Sequence, residues 1–220
     1  MSKMDLSLCE SRAHYVNEKP MFADIPEGYE QIQIGLGCFW GAERIFWKLD
    51  GVHVTSVGYS GGHTPKPDYK LVCTGKTGHA EMCHIVFDPS VISFDEILKV
   101  FFEHHDPTQG NRQGNDVGPQ YRSAIYTYTD RQMEQSKAAI KRYAEAYGRP
   151  ITTELRSVPE VYHAAEDYHQ QYLAKNPQGY CMHGPTGIFC ALPEPANQSG
   201  ARLRANRAKE TFCPLRDKSK

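Results

Sequence analysis

From residue 30 to residue 175, short stretches of alternating apolar and polar residues are interleaved with stretches whose apolar residues recur at helical spacing. That interleaving within one region limits the chain to a single-core layered architecture of the α/β or α+β kind. Glu30 to Leu36 sets Ile32 and Ile34 among Gln31 and Gln33, the pattern of a short strand. Gly41 to Leu49 places Ala42, Ile45, Phe46 and Leu49 on one helical face. Val52 to Tyr59 is rich in β-branched residues and ends at Gly61-Gly62, and Glu81 to Phe87 is a further strand stopped by Asp88-Pro89. Ser93-Phe94-Asp95-Glu96 is a capping box, and Phe94, Ile97, Leu98, Phe101 and Phe102 follow at i, i+3, i+4, i+7 and i+8, which predicts a helix. Gln120 to Tyr128 reads as a strand, and Asp130 to Tyr147 as a helix stopped by Gly148 and Pro150. Ile151 to Leu155 reads as a short strand, and Ala164 to Leu173 as a helix ending before Asn176-Pro177. No internal repeat is visible.

A chain of 220 residues can bury a sizeable core without disulfides or metals. Residues 1–29 carry Pro20 and Pro26 without sustained periodicity and read as an N-terminal arm. Residues 30–190 form the expected domain, including a segment 176–190 rich in glycine, proline and polar residues. Residues 191–220 read as a basic, flexible tail, with seven Lys/Arg against two Asp/Glu from Asn197 onward. The 25 Lys and Arg nearly balance the 26 Asp and Glu, which argues against a general nucleic-acid or acidic-membrane binder. No apolar run approaches the ~18 residues of a membrane span. The first ten residues have no apolar core of signal-peptide length, so a cytoplasmic protein is expected.

Seven cysteines (9, 38, 73, 83, 181, 190 and 213) are an odd number, and none is paired as C-x-x-C. In a reducing compartment static disulfides are rare, and those that form are usually catalytic or redox-sensing. Cys73 and Cys83 lie in mixed apolar contexts and read as inert small hydrophobes.

Four clusters carry chemistry. In Gly35-Leu36-Gly37-Cys38-Phe39-Trp40-Gly41, a strand ends, glycines permit a tight turn, and Cys38 falls just ahead of a helix. Unpaired N–H groups and the helix dipole there favour a thiolate, so Cys38 is a candidate nucleophile. Phe39 and Trp40 on their own read as core residues. Gly58-Tyr59-Ser60-Gly61-Gly62-His63-Thr64-Pro65 leads through Tyr69 to Thr77-Gly78-His79-Ala80-Glu81, a long loop of special backbone geometry. Glu81 alone reads as a solvated strand-end carboxylate. Asn115-Asp116-Val117-Gly118-Pro119-Gln120-Tyr121-Arg122-Ser123 is a polar loop feeding a strand, where Asp116 alone reads as a turn residue. Finally, Gly179-Tyr180-Cys181-Met182-His183-Gly184-Pro185-Thr186-Gly187-Ile188-Phe189-Cys190 places two cysteines in a bendable segment, which suits thiol–disulfide exchange.

In this order, over roughly residues 30–190, the four clusters resemble the A-type peptide methionine sulfoxide reductases. The resemblance implies an α+β fold: a two-layer α/β sandwich with a mixed sheet, a ferredoxin-like (α/β-plait) core and a long coil C-terminus. It implies that Cys38 attacks the sulfoxide sulfur of methionine-S-sulfoxide, that Glu81 supplies the proton, and that Tyr69 and Tyr121 hydrogen-bond the oxygen. Asp116 would order that network, and Phe39 and Trp40 would form an apolar slot for the substrate methyl. The product would be methionine and a sulfenic acid on Cys38, which Cys181 and then Cys190 would resolve into disulfides recycled by thioredoxin, or by dithiothreitol in vitro. No bound cofactor and no metal are implied. The implied role is repair of oxidised proteins, peptides or free methionine sulfoxide, by a protein expected to be monomeric. The chain departs from the family pattern at Pro119 and at His183-Gly184-Pro185, where a threonine and more glycine are expected. Cys9 and Cys213 lie outside the shared region.

Two other readings use the same residues. A cysteine hydrolase would pair Cys38 with one of the ten histidines, but has no use for two flexible C-terminal cysteines. A zinc protein would use Cys181, His183, Cys190 and Cys213, whose spacing lacks the usual C-x₂₋₄-C pair.

Overall fold

A computed structural model describes residues 2–193 of the chain. The tail beyond residue 193, with Cys213, lies outside them.

The strongest local signals build the centre. Strand β2 (Glu30–Leu36) leads to helix α1 (Phe39–Phe46) and strand β3 (Val52–Ser60). A short helix α2 (Tyr69–Cys73), capped by the Asp68 carboxylate accepting from Leu71 N, comes next, then strand β4 (Ala80–Phe87). Helix α3 (Phe94–Glu103) begins at the expected capping box, with Ser93 and Glu96 satisfying each other's backbone N–H groups. Strand β7 (Ser123–Thr127) precedes helix α4 (Asp130–Tyr147), which Gly148 ends at φ 63 in the left-handed region. Two two-residue strands, β5 (Arg112–Gln113) and β6 (Asp116–Val117), pair as a small hairpin of their own.

With β1 (Lys3–Asp5), β8 (Glu154–Ser157) and β9 (Val161–Ala164), the described residues form a seven-stranded mixed sheet in the order β1-β9-β3-β4-β2-β7-β8. The two outermost pairs, β1–β9 and β7–β8, are parallel, and the inner pairs are antiparallel. One face carries Ile32, Ile34, Cys83, Ile85, Phe87 and Ile125 against α1, α3 and α4, with Phe46, Phe101 and Phe102 wholly buried. The other face carries Val54, Met82, Val86 and Tyr126, and residues of the first 29 pack on it: Met4, Leu6, Cys9, Met21, Phe22 and Ile25. All eight residues of β4 are therefore buried, which is why this strand is apolar on both faces save for Glu81 and His84.

Four expectations need correction. The stretch read as a strand over 120–128 opens with a 3₁₀ turn, Pro119–Tyr121, set by Gly118 at φ 147, and only Ser123–Thr127 pairs. The strand expected over 151–155 starts at Glu154, because Thr152 is spent on Pro107 O instead. The helix expected over 164–173 is absent. Val161–Ala164 extends the sheet, Gln171 takes φ 47, and α5 (Tyr172–Lys175) is one turn long. The cause is long-range: the Gln170 side chain accepts from Val57 N and donates to Val57 O, both at 2.9 Å, tying this segment to β3. Cys73, read as a small hydrophobe, is exposed at the end of α2, whereas Cys83 is fully buried.

Candidate active site

Gly37, at φ 102, turns the chain from β2 into α1 and makes Cys38 the residue that caps the helix. A Cβ on Gly37 would stand 2.6 Å from the Gln113 Cβ, so only glycine lets the β5–β6 hairpin close on this turn. Cys38 is 8% exposed and sits in a cavity of about 80 Å³, large enough for the tip of a side chain. Phe39, Trp40, Tyr69, Glu81, Asp116 and Tyr121 line that cavity with it, joined by Tyr180. The residues singled out around Cys38, from four separate stretches of sequence, thus converge on one sulfur.

Glu81 is not a solvated strand-end carboxylate. It is 2% exposed, and its Oε2 accepts from Phe39 N at 2.9 Å, locking the carboxyl against the first turn of α1. Burial pushes its pKa up to about 8, with Asp116 acting in the same direction and the Phe39 N–H opposing. Glu81 is therefore a carboxylic acid at neutral pH. Cys38 moves the same way. Its thiol is pushed up by burial and by Glu81, and the hydrogen bonds it accepts from the Trp40 and Gly41 backbone do not offset this. The resting thiolate expected from the helix N-terminus is thus corrected: desolvation in a closed cavity outweighs the helix end, and the free enzyme holds a thiol. Burial also raises Tyr69 and Tyr121, which remain O–H donors.

The supporting groups explain why the glycine-rich motifs have their form. Gly61 and Gly62 leave no room for a Cβ, which would stand 2.2 Å from Tyr126 Oη and from His79 N respectively. His79 accepts from Gly62 N and bonds Thr64 O, stitching the loop before α2 to the loop before β4. The Arg122 guanidinium reaches Pro119 O, Gly78 O and Tyr126 Oη, and pairs with Glu154, joining the Tyr121 turn to the Glu81 strand.

Three contributors went unread in the sequence. Glu166 accepts from Tyr59 Oη at 2.8 Å and from Tyr69 N at 2.9 Å, and so holds the start of α2. His169, kept neutral by burial at a pKa of about 4, accepts from Trp40 Nε1 at 2.9 Å and packs against Phe39 and Tyr69. Tyr180 donates to Asp116 Oδ1 at 3.1 Å. Glu166 and His169 were hidden by the incorrect helix over 164–173, while Tyr180 stood beside Cys181 and was readable there.

The two C-terminal cysteines are placed differently. Arg44 Nη2 donates to Cys181 Sγ at 2.9 Å, which puts Cys181 beside α1. Cys190 lies against the α3–α4 pair, its N donating to Glu103 Oε1 at 3.3 Å. Cys9 is buried on the opposite face of the sheet, bonded to Asp167. The zinc reading fails on this arrangement, since Cys181 and Cys190 point to different helices; among the described residues no group of His, Cys, Asp or Glu could hold a metal ion. The hydrolase reading fails too, because the titratable partners of Cys38 are Glu81 and Asp116 rather than a histidine. A larger cavity of about 710 Å³, between the first 29 residues and the sheet, contains no cysteine. No helix among the described residues is long and apolar enough to cross a membrane.

The family model described as "Peptide methionine sulfoxide reductase" matches residues 30–189. The chain belongs to the peptide methionine sulfoxide reductase family. A Brucella anthropi peptide methionine sulfoxide reductase MsrA is 56% identical over 187 residues, which cover 83% of this chain and 85% of that protein. The solved methionine sulfoxide reductase A of Corynebacterium diphtheriae is 46% identical at a TM-score of 0.74, covering 85% of this chain and 92% of its own. Mxr1 of Saccharomyces cerevisiae in reduced form is 36% identical at a TM-score of 0.68, covering 71% and 90%. Mxr1 has also been solved in complex with Trx2, a form to which this chain is 20% identical at a TM-score of 0.51, over 74% of this chain and 95% of the other. The matched span includes every cavity residue of the reductase, and Cys190 lies one residue beyond it.

Proposed function

We propose that this reductase converts methionine-S-sulfoxide, free or within peptides and proteins, to methionine, and so repairs oxidised proteins. The observation that carries the reading is a cysteine sulfur and a protonated carboxyl enclosed in one small cavity. A sulfoxide oxygen leaves poorly unless it is protonated or strongly hydrogen-bonded. Glu81 gives its proton to that oxygen while the Tyr69 and Tyr121 hydroxyls donate to it, and Asp116, which accepts from Tyr180 Oη, helps order the network. As the S–O bond weakens, Cys38 sulfur attacks the substrate sulfur and its own proton passes to the Glu81 carboxylate. The oxygen then bonds Cys38 sulfur as the substrate S–O bond and the transient sulfur–sulfur bond break; methionine departs with the electron pair on its sulfur, Cys38 is left as a sulfenic acid, and Glu81 is again protonated. Phe39 and Trp40, the latter stacked on Tyr172 at 3.9 Å, make the apolar wall for the methyl group.

Recycling follows through Cys181 and then Cys190, with a thioredoxin as electron donor and no bound cofactor. The complex of Mxr1 with Trx2 supports this donor. In this reading residues 1–29 are an arm, 30–190 the catalytic domain with its resolving segment 176–190, and 191–220 a tail, in a monomeric cytoplasmic protein. The central strands are read as a ferredoxin-like plait: the order β3-β4-β2-β7, antiparallel throughout, with α1 and α3 packed on one face, supports it.

Each sulfoxide epimer, offered separately with dithiothreitol, tests the assignment: methionine is expected from the S epimer alone, and equal turnover of both overturns it. In Cys181→Ser, the first oxygen transfer needs no second cysteine. With thioredoxin as reductant the variant is expected to release about one methionine per enzyme and then stall. Steady recycling of that variant by thioredoxin would remove Cys181 from the relay.

A further inference from the structure

A sulfenic acid is resolved by a thiolate, so the cysteine that attacks it must lose its proton at the right moment. Two side chains around Cys181 are arranged for that. Arg44, in the last turn of α1, directs its Nη2 at Cys181 Sγ from 2.9 Å, a cationic donor aimed at the attacking sulfur. His183, two residues on, bonds Leu36 O through Nε2 at 2.8 Å. A carbonyl only accepts, so Nε2 carries the proton and Nδ1 is left with a free lone pair. That Nδ1 is buried and has no hydrogen-bond partner. It closes on the same spot as the sulfur: a Cβ built on Gly41 would stand 2.1 Å from His183 Nδ1 and 2.9 Å from Cys181 Sγ. The missing side chain at Gly41 is what admits both groups to the first turn of α1, one turn beyond Cys38.

We propose that His183 Nδ1 takes the Cys181 proton and Arg44 holds the resulting thiolate for attack on the Cys38 sulfenic acid. This deepens the reading of Cys181 as the resolving cysteine and rests on it. In the step, the Cys181 S–H proton moves to Nδ1 and a sulfur lone pair forms the Cys38–Cys181 bond. The Cys38 S–O bond breaks, and its oxygen leaves as water with the Glu81 proton. Glu81 is then reprotonated from solvent as His183 releases the proton it took. No external oxidant is needed, since the sulfenic acid is the oxidant. The charged or titratable groups facing His183 are Arg44 from α1 and His104 and His105 from the end of α3. Burial keeps the ring neutral in the resting state and Arg44 acts in the same direction, so a proton taken at Nδ1 is held only transiently and passes on as closure completes. His183 takes no part in the sulfoxide step and acts only in closure.

The test is a single turnover of the reduced full-length enzyme with one equivalent of methionine-S-sulfoxide and no reductant. Methionine released and the Cys38–Cys181 disulfide, trapped by alkylation and mapped by peptide, are followed together across the neutral to mildly alkaline range. Closure rate is expressed relative to methionine released in the same sample, which counts folded, competent enzyme. His183→Gln keeps a donor for Leu36 O and lacks the base, while His183→Leu lacks both. Both are expected to close roughly a hundredfold more slowly or worse at neutral pH, the low end of general-base effects. Their closure should keep accelerating with pH, because hydroxide must then remove the proton. Arg44→Met should slow closure similarly, and Arg44→Lys should recover part of it. Closure by His183→Gln at the wild-type rate and with the wild-type pH profile overturns the proposal. If the wild-type enzyme forms no Cys38–Cys181 bond at all, the resolving role of Cys181 falls first and this step with it, a result that peptide mapping tells apart from slow closure.

Discussion

Replacing Cys38 with serine is expected to remove methionine sulfoxide reduction altogether, in single-turnover as well as steady-state assays. A serine hydroxyl is a far weaker nucleophile toward sulfur at neutral pH. It is also not the atom from which a sulfenic acid is made, so no second thiol would have anything to resolve. The change is almost isosteric, and Cys38 Sγ accepts hydrogen bonds that a hydroxyl can also accept, so thermal unfolding should stay close to wild type. That separates lost chemistry from lost fold. Residual turnover above about a tenth of wild type would move the nucleophile elsewhere, since a single essential nucleophile commonly contributes many powers of ten. Cys181, beside the same helix, would be the first to test in its place.

Glu81→Gln is expected to lower the rate of the chemical step by on the order of 10²–10⁴-fold while affecting substrate binding much less. Glutamine still accepts from Phe39 N, so the turn into α1 survives, but it has no proton to give the departing oxygen. With a pKa of about 8, wild-type Glu81 is protonated through neutrality, and the reaction should slow as pH rises through that value. The variant should lose that alkaline limb, and its residual rate should climb toward acid, where solvent protons substitute in part. The same group has a stability consequence of definite sign. Between its ordinary value of 4.5 and about 8, an unfolded chain releases a proton that the native carboxyl keeps. Folding stability from this group therefore falls as pH rises across that window and levels off above it. Glu81→Gln should be more stable than wild type at pH 8, relative to pH 4, by denaturant titration, the pattern of a residue kept for activity at a cost in stability. Single-turnover rates matching wild type at every pH would reduce Glu81 to a buried structural carboxyl.

Other buried polar groups belong to the fold rather than the reaction. Glu43 is fully buried in α1 and pushed up to about 7 by burial, despite bonds from Thr55 Oγ1 and from the Gln171 side chain and backbone. Its neighbour Thr55 also meets His14 Nε2 at 3.0 Å, so this cluster ties α1, β3, the first 29 residues and the segment before α5 into one unit. Nothing within ten residues of Glu43 in sequence announces that role.

Features set by neighbours a few residues apart were legible. The capping box at Ser93 and the spacing of Phe94, Ile97, Leu98, Phe101 and Phe102 depend only on one helix turn satisfying the next. Gly148 ends α4 because a left-handed residue is needed at that point. The glycines around Cys38 mark a strand-to-helix turn for the same kind of local reason. The order of four motifs along the chain was enough to bring the family resemblance and its candidate residues into view.

Features set by chain closure were not. Residues 164–173 carry apolar spacing that a helix tolerates, but Gln170 bonding β3 across 113 residues decides against it. The packing of the first 29 residues on the second sheet face leaves no periodic trace, because each contact there is made by a turn or a lone side chain. Whether Cys38 is a thiol or a thiolate could not be read from its place before a helix. A helix end stabilises a thiolate by a modest, local field, whereas enclosure with a second acidic group removes the water that would have solvated it. Sequence alone nominated the residues proposed for the chemistry; the tertiary structure decided which of them are protonated when they meet, since desolvation is a property of the closed cavity and of no single segment.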